Sequence, residues 1–205
     1  MEKIPSSNIK TITIKPGYRP QAPDIYIDAD IYLFTQLYVP NLPMQWTPNQ
    51  SLHYTRLRDL LAAGEWKEAD EETARVILAI AGRENEGWLD LEHIENFPCE
   101  DLCTIDELWV KHSNGHFGFS VQKRIYQSLG GTVGTREHNS KIWQAFIDSV
   151  GWRKEGKWMY YNDLTFDLTA PVAHLPYGLY LLTFIGGFWV KWWWVLFSRI
   201  ETCKL

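Results

Sequence analysis

The sequence predicts a mainly α-helical protein with a single main domain, and three observations support this prediction. The chain has 205 residues, a length at which one domain with a substantial core is expected. Apolar residues recur at three- and four-residue spacing through much of the chain after residue 50. Glycine and proline interrupt the segments between these periodic stretches, as they do in loops.

The first segment, residues 1–50, is expected to be a proline-rich extended arm. It holds seven of the ten prolines, and each proline removes a backbone donor and favours extended geometry in the residue before it. Ile12 and Ile14 alternate with polar residues as in a short strand, and the stretch from Asp28 is compatible with one brief helix.

The second segment, residues 51–176, carries the helical pattern. The first helix has an apolar face of Leu57, Leu60 and Leu61 and ends at Gly64, and a second helix runs from Trp66 towards a cap at Gly82. A loop with one turn of helix follows. Further helices are predicted over 99–113, after the Asn114–Gly115 turn, and over 141–152, and a short irregular ribbon follows them.

The third segment, residues 177–205, is a hydrophobic aromatic tail. Leu175 to Phe197 is a run of 23 residues whose only charge is Lys191, and a helix of that length is long enough to cross a bilayer. Lys191, the Gly186–Gly187 pair and the tryptophan cluster argue against a membrane span. We expect the tail to lie at a membrane surface or to fold back onto the domain, where Lys191 or Arg199 would reach a binding site.

Composition excludes several classes of protein. Lys and Arg total 20 against 25 Asp and Glu, a net charge of −5, and 45% of residues are apolar, which argues against disorder and against nucleic-acid binding. Residues 1–15 contain no apolar secretory run, so cytoplasmic localisation is expected, with peripheral membrane contact through the tail left open. The chain also has 11 Trp, 10 Tyr and 9 Phe, which must be buried or form a binding surface.

No catalytic or metal-binding motif is evident. The sequence lacks a nucleophile elbow, a phosphate-binding glycine loop and a zinc-protease histidine pair, so we expect a protein that is not an enzyme and requires no cofactor. Cys99 and Cys103 are four residues apart, but two thiols without a second ligand pair make a poor zinc site. Because the three cysteines are an odd number, we expect Cys99, Cys103 and Cys203 to be reduced and free of metal.

The candidate ligand site consists of large apolar side chains in segments too short or too interrupted to form core helices. They are Trp88, Leu89, Ile94 and Phe97 in one loop, Phe117 and Phe119 after a turn, and Trp158, Tyr160, Tyr161, Leu164 and Phe166 in another loop. We expect these loops to wall a cleft for a flat, apolar ligand with polar edges, and core packing is the alternative for each residue.

Residues 54–176 resemble the genomes-uncoupled-four family, most specifically in the stretches "IENFPCEDLCTIDELW", "NGHFGFSVQ" and "DLTAPVAHLP". The resemblance implies an all-helical fold shaped like a cupped hand. It further implies binding of protoporphyrin IX or its magnesium form. It also implies a regulatory role in chlorophyll synthesis beside magnesium chelatase, whose large subunit is the expected partner.

By position, the resemblance assigns the loop from Arg83 to Phe97 and the loop from Trp158 to Phe166 to the two edges of the binding palm, and it adds His174 in the matched "HLP" ending. A porphyrin carries two carboxylates, so Arg or Lys is expected near its rim. This chain departs from the family after "HLP", because it has no Arg before Arg199 where porphyrin-binding members carry two. A protein-interaction or sensory module of the same fold that binds no porphyrin is therefore the alternative function.

Overall fold

The structure, a computed structural model, describes residues 50–134, 139–182 and 192–205. Within these ranges the protein is mainly helical, as predicted. The helices are α1 (Gln50–Ala63), α2 (Trp66–Ile80), α3 (Leu91–Glu95), α4 (Cys99–His112), α5 (Phe119–Ser128), α6 (Ser140–Ser149), α7 (Gly178–Leu182) and α8 (Trp192–Thr202). The strands β1 (Arg153–Lys154) and β2 (Lys157–Trp158) form an antiparallel hairpin, and a 3₁₀ turn spans Tyr161–Asp163. The predictions for the N-terminal arm lie outside the described residues.

The α1–α2 pair forms as its apolar spacing predicts. Leu57 and Leu61 on α1 are 0% and 2% exposed, and α1 packs against both α2 and α4. The chain reverses at Gly64, whose φ of +75° is a conformation that glycine adopts without steric cost. On α2 the buried face includes the polar residues Asp70 and Thr73 as well as the expected apolar residues.

Side-chain carboxylates and amides set where several helices begin. Asp90 accepts a hydrogen bond from the His93 backbone N–H at 3.0 Å and caps α3, and Asn139 caps α6 in the same way. Asp106 on α4 accepts the Ser120 backbone N–H at 2.9 Å and so caps α5 from a neighbouring helix. Burial raises the pKa of Asp106, because the hydrogen bonds that favour its charged form only partly offset the loss of water.

The described parts of the aromatic tail fold back into the core. Residues 177–182 are all buried, and α8 buries Trp193, Leu196 and Ile200 against the domain. The Trp193 ring stacks on Trp143 of α6 with centroids 4.5 Å apart and planes 8° apart. Among the residues that the structure describes, no helix has the length and apolar character needed to cross a bilayer. Lys191 lies outside those residues.

One expectation about the cysteines is wrong. Cys99 and Cys203 form a disulfide with their Cα atoms 5.1 Å apart, and Cys103 is a free thiol. The two bonded residues are 104 positions apart, and they meet because α8 folds back onto α4. An odd cysteine count does not exclude one such pair with one thiol left over. In the described ranges, no group of three or more His, Cys, Asp or Glu residues is placed to hold a metal ion.

Candidate functional site

Both predicted aromatic loops contact α7, and these contacts define the candidate site. The Leu89 backbone N–H donates to the Leu182 carbonyl at 2.8 Å, which joins the 83–97 loop to the end of α7. From the other loop, the Trp158 ring stacks on Tyr180 of α7 with centroids 5.7 Å apart and planes 24° apart. Tyr180 is 4% exposed and Trp158 is 39% exposed, so Trp158 covers α7 and adds to the surface above it.

A row of aromatic rings continues from this stack through the interior; we call the set formed by Trp158, Tyr180, Tyr177, Tyr161 and Phe166 the aromatic row. Ring centroids are 4.9 Å apart between Tyr180 and Tyr177, 6.1 Å between Tyr177 and Tyr161, and 5.1 Å between Tyr161 and Phe166. The middle of the row is buried, while Phe166 is half-buried and Trp158 is exposed. The row therefore connects Trp158 and Phe166, the two surface residues at its ends, through packed interior rings.

The buried carboxylate of Asp70 holds the row in place. Its Oδ1 accepts the backbone N–H groups of Tyr177 at 2.6 Å and Gly178 at 2.9 Å, and its Oδ2 accepts the Tyr161 hydroxyl at 3.0 Å. Asp70 is 0% exposed, and burial raises its pKa to about 6 despite these three hydrogen bonds. One side chain of α2 thus positions both the start of α7 and the 3₁₀ turn.

Two cations lie beside the loops. The Lys67 ammonium is 5.9 Å from the ring centroids of both Tyr161 and Phe166, and it donates to the Asn162 side-chain oxygen at 3.3 Å. The Arg83 guanidinium lies 4.6 Å from the Trp88 ring centroid, with an ion pair to Glu86 at 3.3 Å. One cation therefore lies next to an aromatic ring of each loop, Arg83 from the first loop itself and Lys67 from α2.

Sequence reasoning missed Asp70 and Lys67. Asp70 was detectable in principle, because it is a charged residue at a position of α2 that the apolar spacing assigns to the buried face. Lys67 precedes it by three residues and so lies near the same side of the helix. No sequence signal links Lys67 to residues 161–166, since only the tertiary fold brings them together.

Several predicted site residues lie in the core instead. They are Leu89, Ile94, Phe97, Phe117, Phe119, Tyr161, Leu164 and His174, with exposures from 0% to 9%. Phe117, for example, makes edge-to-face contacts with Trp66 at 5.5 Å and with Trp109 at 6.2 Å. Side chains this buried offer little surface to a ligand in this arrangement, and their role as a cleft wall stays a prediction.

His174 also has a structural environment. Its Nδ1 lies 2.6 Å from the Val150 carbonyl oxygen, and its own carbonyl accepts the Trp152 indole N–H at 2.8 Å. Burial lowers the pKa of His174, which keeps the imidazole neutral near pH 7. The "DLTAPVAHLP" stretch is further fixed by the Ala173 backbone N–H, which donates to the His116 carbonyl at 2.8 Å. This part of the predicted site is therefore a scaffold for α7.

Five predicted residues keep surface that a ligand can reach. Trp158 is 39% and Tyr160 is 50% exposed, and the Arg83 side chain is 20% exposed. Trp88 and Phe166 are half-buried. We call these five residues together with Lys67 the exposed aromatic surface. Its composition, aromatic rings with two cations, suits a flat apolar ligand with acidic edges.

The chain is similar in sequence to several known proteins. The chain is 35% identical over 130 residues to a Ycf53-like protein of Synechocystis sp., covering 62% of this chain and 52% of that protein. It is 33% identical over 129 residues to a chloroplastic tetrapyrrole-binding protein of Arabidopsis thaliana, covering 58% of this chain and 46% of that protein. The chain thus spans about half the length of these curated relatives.

Solved structures show the same fold. The structure of GUN4 from Chlamydomonas reinhardtii matches with a TM-score of 0.55 and 27% identity, over 78% of this chain and 93% of that one. The ligand-free structure of Arabidopsis thaliana GUN4 matches with a TM-score of 0.53 and 28% identity, over 64% of this chain and 85% of that one. A family model described as GUN4-like matches residues 47–191. The chain belongs to the GUN4-like family.

Proposed function

We propose that this protein binds a tetrapyrrole on the exposed aromatic surface and acts as a regulatory protein, not as an enzyme. The observation that carries the proposal is the stack of Trp158 on Tyr180, which holds a residue that is 39% exposed two positions before Tyr160, which is 50% exposed. Membership of the GUN4-like family and the similarity to a tetrapyrrole-binding protein of Arabidopsis thaliana support the same ligand class.

The proposed contacts follow from the chemistry of the ligand. A porphyrin is a flat apolar disc that gains by stacking on aromatic rings, and a ring already held in place loses little entropy on binding. Its two carboxylates require cations, and Lys67 and Arg83 lie beside the two loops. Protoporphyrin IX and its magnesium form both meet this description, and we propose them as the ligands.

The wider role follows from the same ligand. A protein that binds these porphyrins without transforming them is suited to deliver them or to report their level, and we propose the large subunit of magnesium chelatase as its partner in chlorophyll synthesis. We further propose that it acts in the cytoplasm, with peripheral contact to a membrane through the tail.

A second candidate function has one observation in its favour. Residues 177–182 are all buried, so the chain's own side chains fill the space beside the two loops. This arrangement suits a protein-interaction or sensory module that keeps the fold and binds no porphyrin. The two candidates differ in a single measurable property, which is saturable porphyrin binding.

Titration of the purified protein with deuteroporphyrin tests the proposal. We expect saturable quenching of tryptophan fluorescence and a shift of the porphyrin absorption band at concentrations on the order of 10 µM or lower. A serum albumin sample and a heat-denatured sample of this protein serve as the binding and non-specific references. Absence of saturable quenching over this range favours the interaction module.

A further inference from the structure

The Cys99–Cys203 disulfide connects the start of α4 to the end of α8. Cys99 is the first residue of α4, and Cys203 directly follows α8. Both cysteines are only partly buried, so a reductant can reach the bond from solvent. The bond closes a loop across a separation of 104 residues, and cross-links of long loops constrain the unfolded chain most.

A third thiol lies beside this bond. Cys103 is one helical turn after Cys99 on α4, and its Sγ lies 3.8 Å from the Cys203 carbonyl oxygen. Burial and the nearby carboxylates of Glu107 and Asp106 raise the pKa of the Cys103 thiol. The neutral thiol is a poor nucleophile, so Cys103 is expected to remain a bystander to the disulfide.

The segment held by the disulfide also has polar contacts of its own. Arg199 on α8 donates through Nε to the Phe97 carbonyl at 2.7 Å, which connects α8 to the end of the 83–97 loop. Lys123 of α5 forms an ion pair with Glu201 at 2.8 Å and donates to the Leu205 carbonyl. These contacts lie at the partly exposed C-terminal end of α8, whereas Leu196 and Ile200 anchor the helix in the core.

We propose that the Cys99–Cys203 disulfide is a redox-controlled latch on the C-terminal end of α8. A dithiol reductant supplies two electrons and two protons, the S–S bond breaks, Cys99 and Cys203 become thiols, and the reductant becomes a disulfide. Loss of the cross-link loosens the end of α8 and, through Arg199, the end of the 83–97 loop. The inference goes beyond tetrapyrrole binding and does not rest on it.

Hydrogen exchange on a Cys103→Ser variant tests the latch, because only Cys99 and Cys203 then remain. We expect amide exchange over residues 198–205 and 96–99, read at times before residues 66–78 exchange measurably, to be at least about tenfold faster after reduction with dithiothreitol. We also expect the melting temperature to fall by about 10 °C. A Cys103→Ser, Cys203→Ser double variant is the matched control and should not respond to dithiothreitol.

Two results would overturn the latch. The first is a thiol count that finds both Cys99 and Cys203 free after exposure of the native protein to oxidised dithiothreitol or oxygen. The second is a disulfide that forms but leaves the exchange of residues 198–205 the same in the oxidised and reduced proteins. In the second case the disulfide would be a structural cross-link whose reduction does not change the dynamics of α8.

Discussion

At the scale of single residues, Asp70 connects three separate parts of the fold. Its carboxylate accepts hydrogen bonds from Tyr161, Tyr177 and Gly178, so it connects α2 to the second loop and to α7. A buried acceptor with three donors can be replaced only by a group that satisfies the same donors. An amide oxygen keeps the two backbone donors of Oδ1, and the amide N–H₂ can donate to the Tyr161 hydroxyl oxygen.

The pKa of Asp70 predicts a pH dependence of stability. Because burial raises the pKa in the folded protein to about 6 from the ordinary value of 3.8, the folded state binds the proton more tightly than the unfolded state does. The stabilisation by protonation is complete below about pH 4 and is lost as the pH rises through about 6. A shift of this size corresponds to roughly 3 kcal/mol.

An Asp70→Asn variant removes the pH-dependent stabilisation that comes from protonation of Asp70. Urea unfolding between pH 4 and pH 7 gives the unfolding free energy of each protein. The difference between wild type and variant isolates the contribution of Asp70, because the contributions of the other titrating groups cancel. We expect the unfolding free energy of the wild type, relative to the variant, to decrease from pH 4 to pH 7. A difference that does not change with pH would show that Asp70 titrates normally.

Lys67 provides a separate test of how the ligand carboxylates are recognised. If its ammonium binds a propionate, Lys67→Gln should weaken deuteroporphyrin binding by about tenfold, since a hydrogen bond between charged groups contributes roughly 1.5–3 kcal/mol. Binding of a porphyrin without carboxylates, such as etioporphyrin, should not change. Lys141→Gln, on exposed α6 surface, is the control of equal charge. Equal losses for both porphyrins would contradict a role for Lys67 in carboxylate binding.

At the scale of elements, α7 is held by a close backbone approach at its first residue. A Cβ atom on Gly178 would lie 2.8 Å from the Asp70 carbonyl oxygen and 3.2 Å from the Ala74 Cβ. The first of these distances requires a shift of backbone, because the contacting oxygen belongs to the α2 main chain. Since Tyr180 supports Trp158, displacement of α7 would also disturb the exposed aromatic surface.

Gly178→Ala should therefore reduce stability by about 2–4 kcal/mol and also weaken porphyrin binding. Gly115→Ala is the matched control, because a Cβ there meets nothing within 4 Å and the change costs only the strain of a φ of +78°, about 1 kcal/mol. Chemical unfolding of both variants measures the contrast. Similar losses at the two positions would mean that α7 can shift without cost.

Elements differ in how well the sequence predicts them. The period of apolar residues predicts α2 closely, from Trp66 to Ile80, because one face of that helix is buried throughout. The tail is harder to predict, because an apolar run is equally compatible with crossing a membrane, lying on a membrane surface or packing in a protein core. The tertiary contacts of its described C-terminal part, such as the stack of Trp193 on Trp143, show that its partner in this structure is the domain core.

At the scale of the whole molecule, the family and the helical class follow from sequence patterns, but the division of aromatic residues between surface and core does not. Trp158 and Phe117 both follow turns and look alike in sequence, yet one is 39% exposed and the other 0%. The difference depends on which distant helices cover each residue. The Cys99–Cys203 bond was unpredictable for the same reason, because the two cysteines are 104 positions apart and meet only where α8 packs on α4.

The most direct test of tetrapyrrole binding at Trp158 is a deuteroporphyrin titration, read by porphyrin absorbance, of the wild type, Trp158→Ala and Trp143→Ala. Both tryptophans stack on a buried aromatic ring, but Trp143 lies on α6, outside the exposed aromatic surface. We predict saturable binding by the wild type, about tenfold weaker binding by Trp158→Ala and unchanged binding by Trp143→Ala. Equal affinity of the wild type and Trp158→Ala, or no saturable binding by the wild type, would contradict the account.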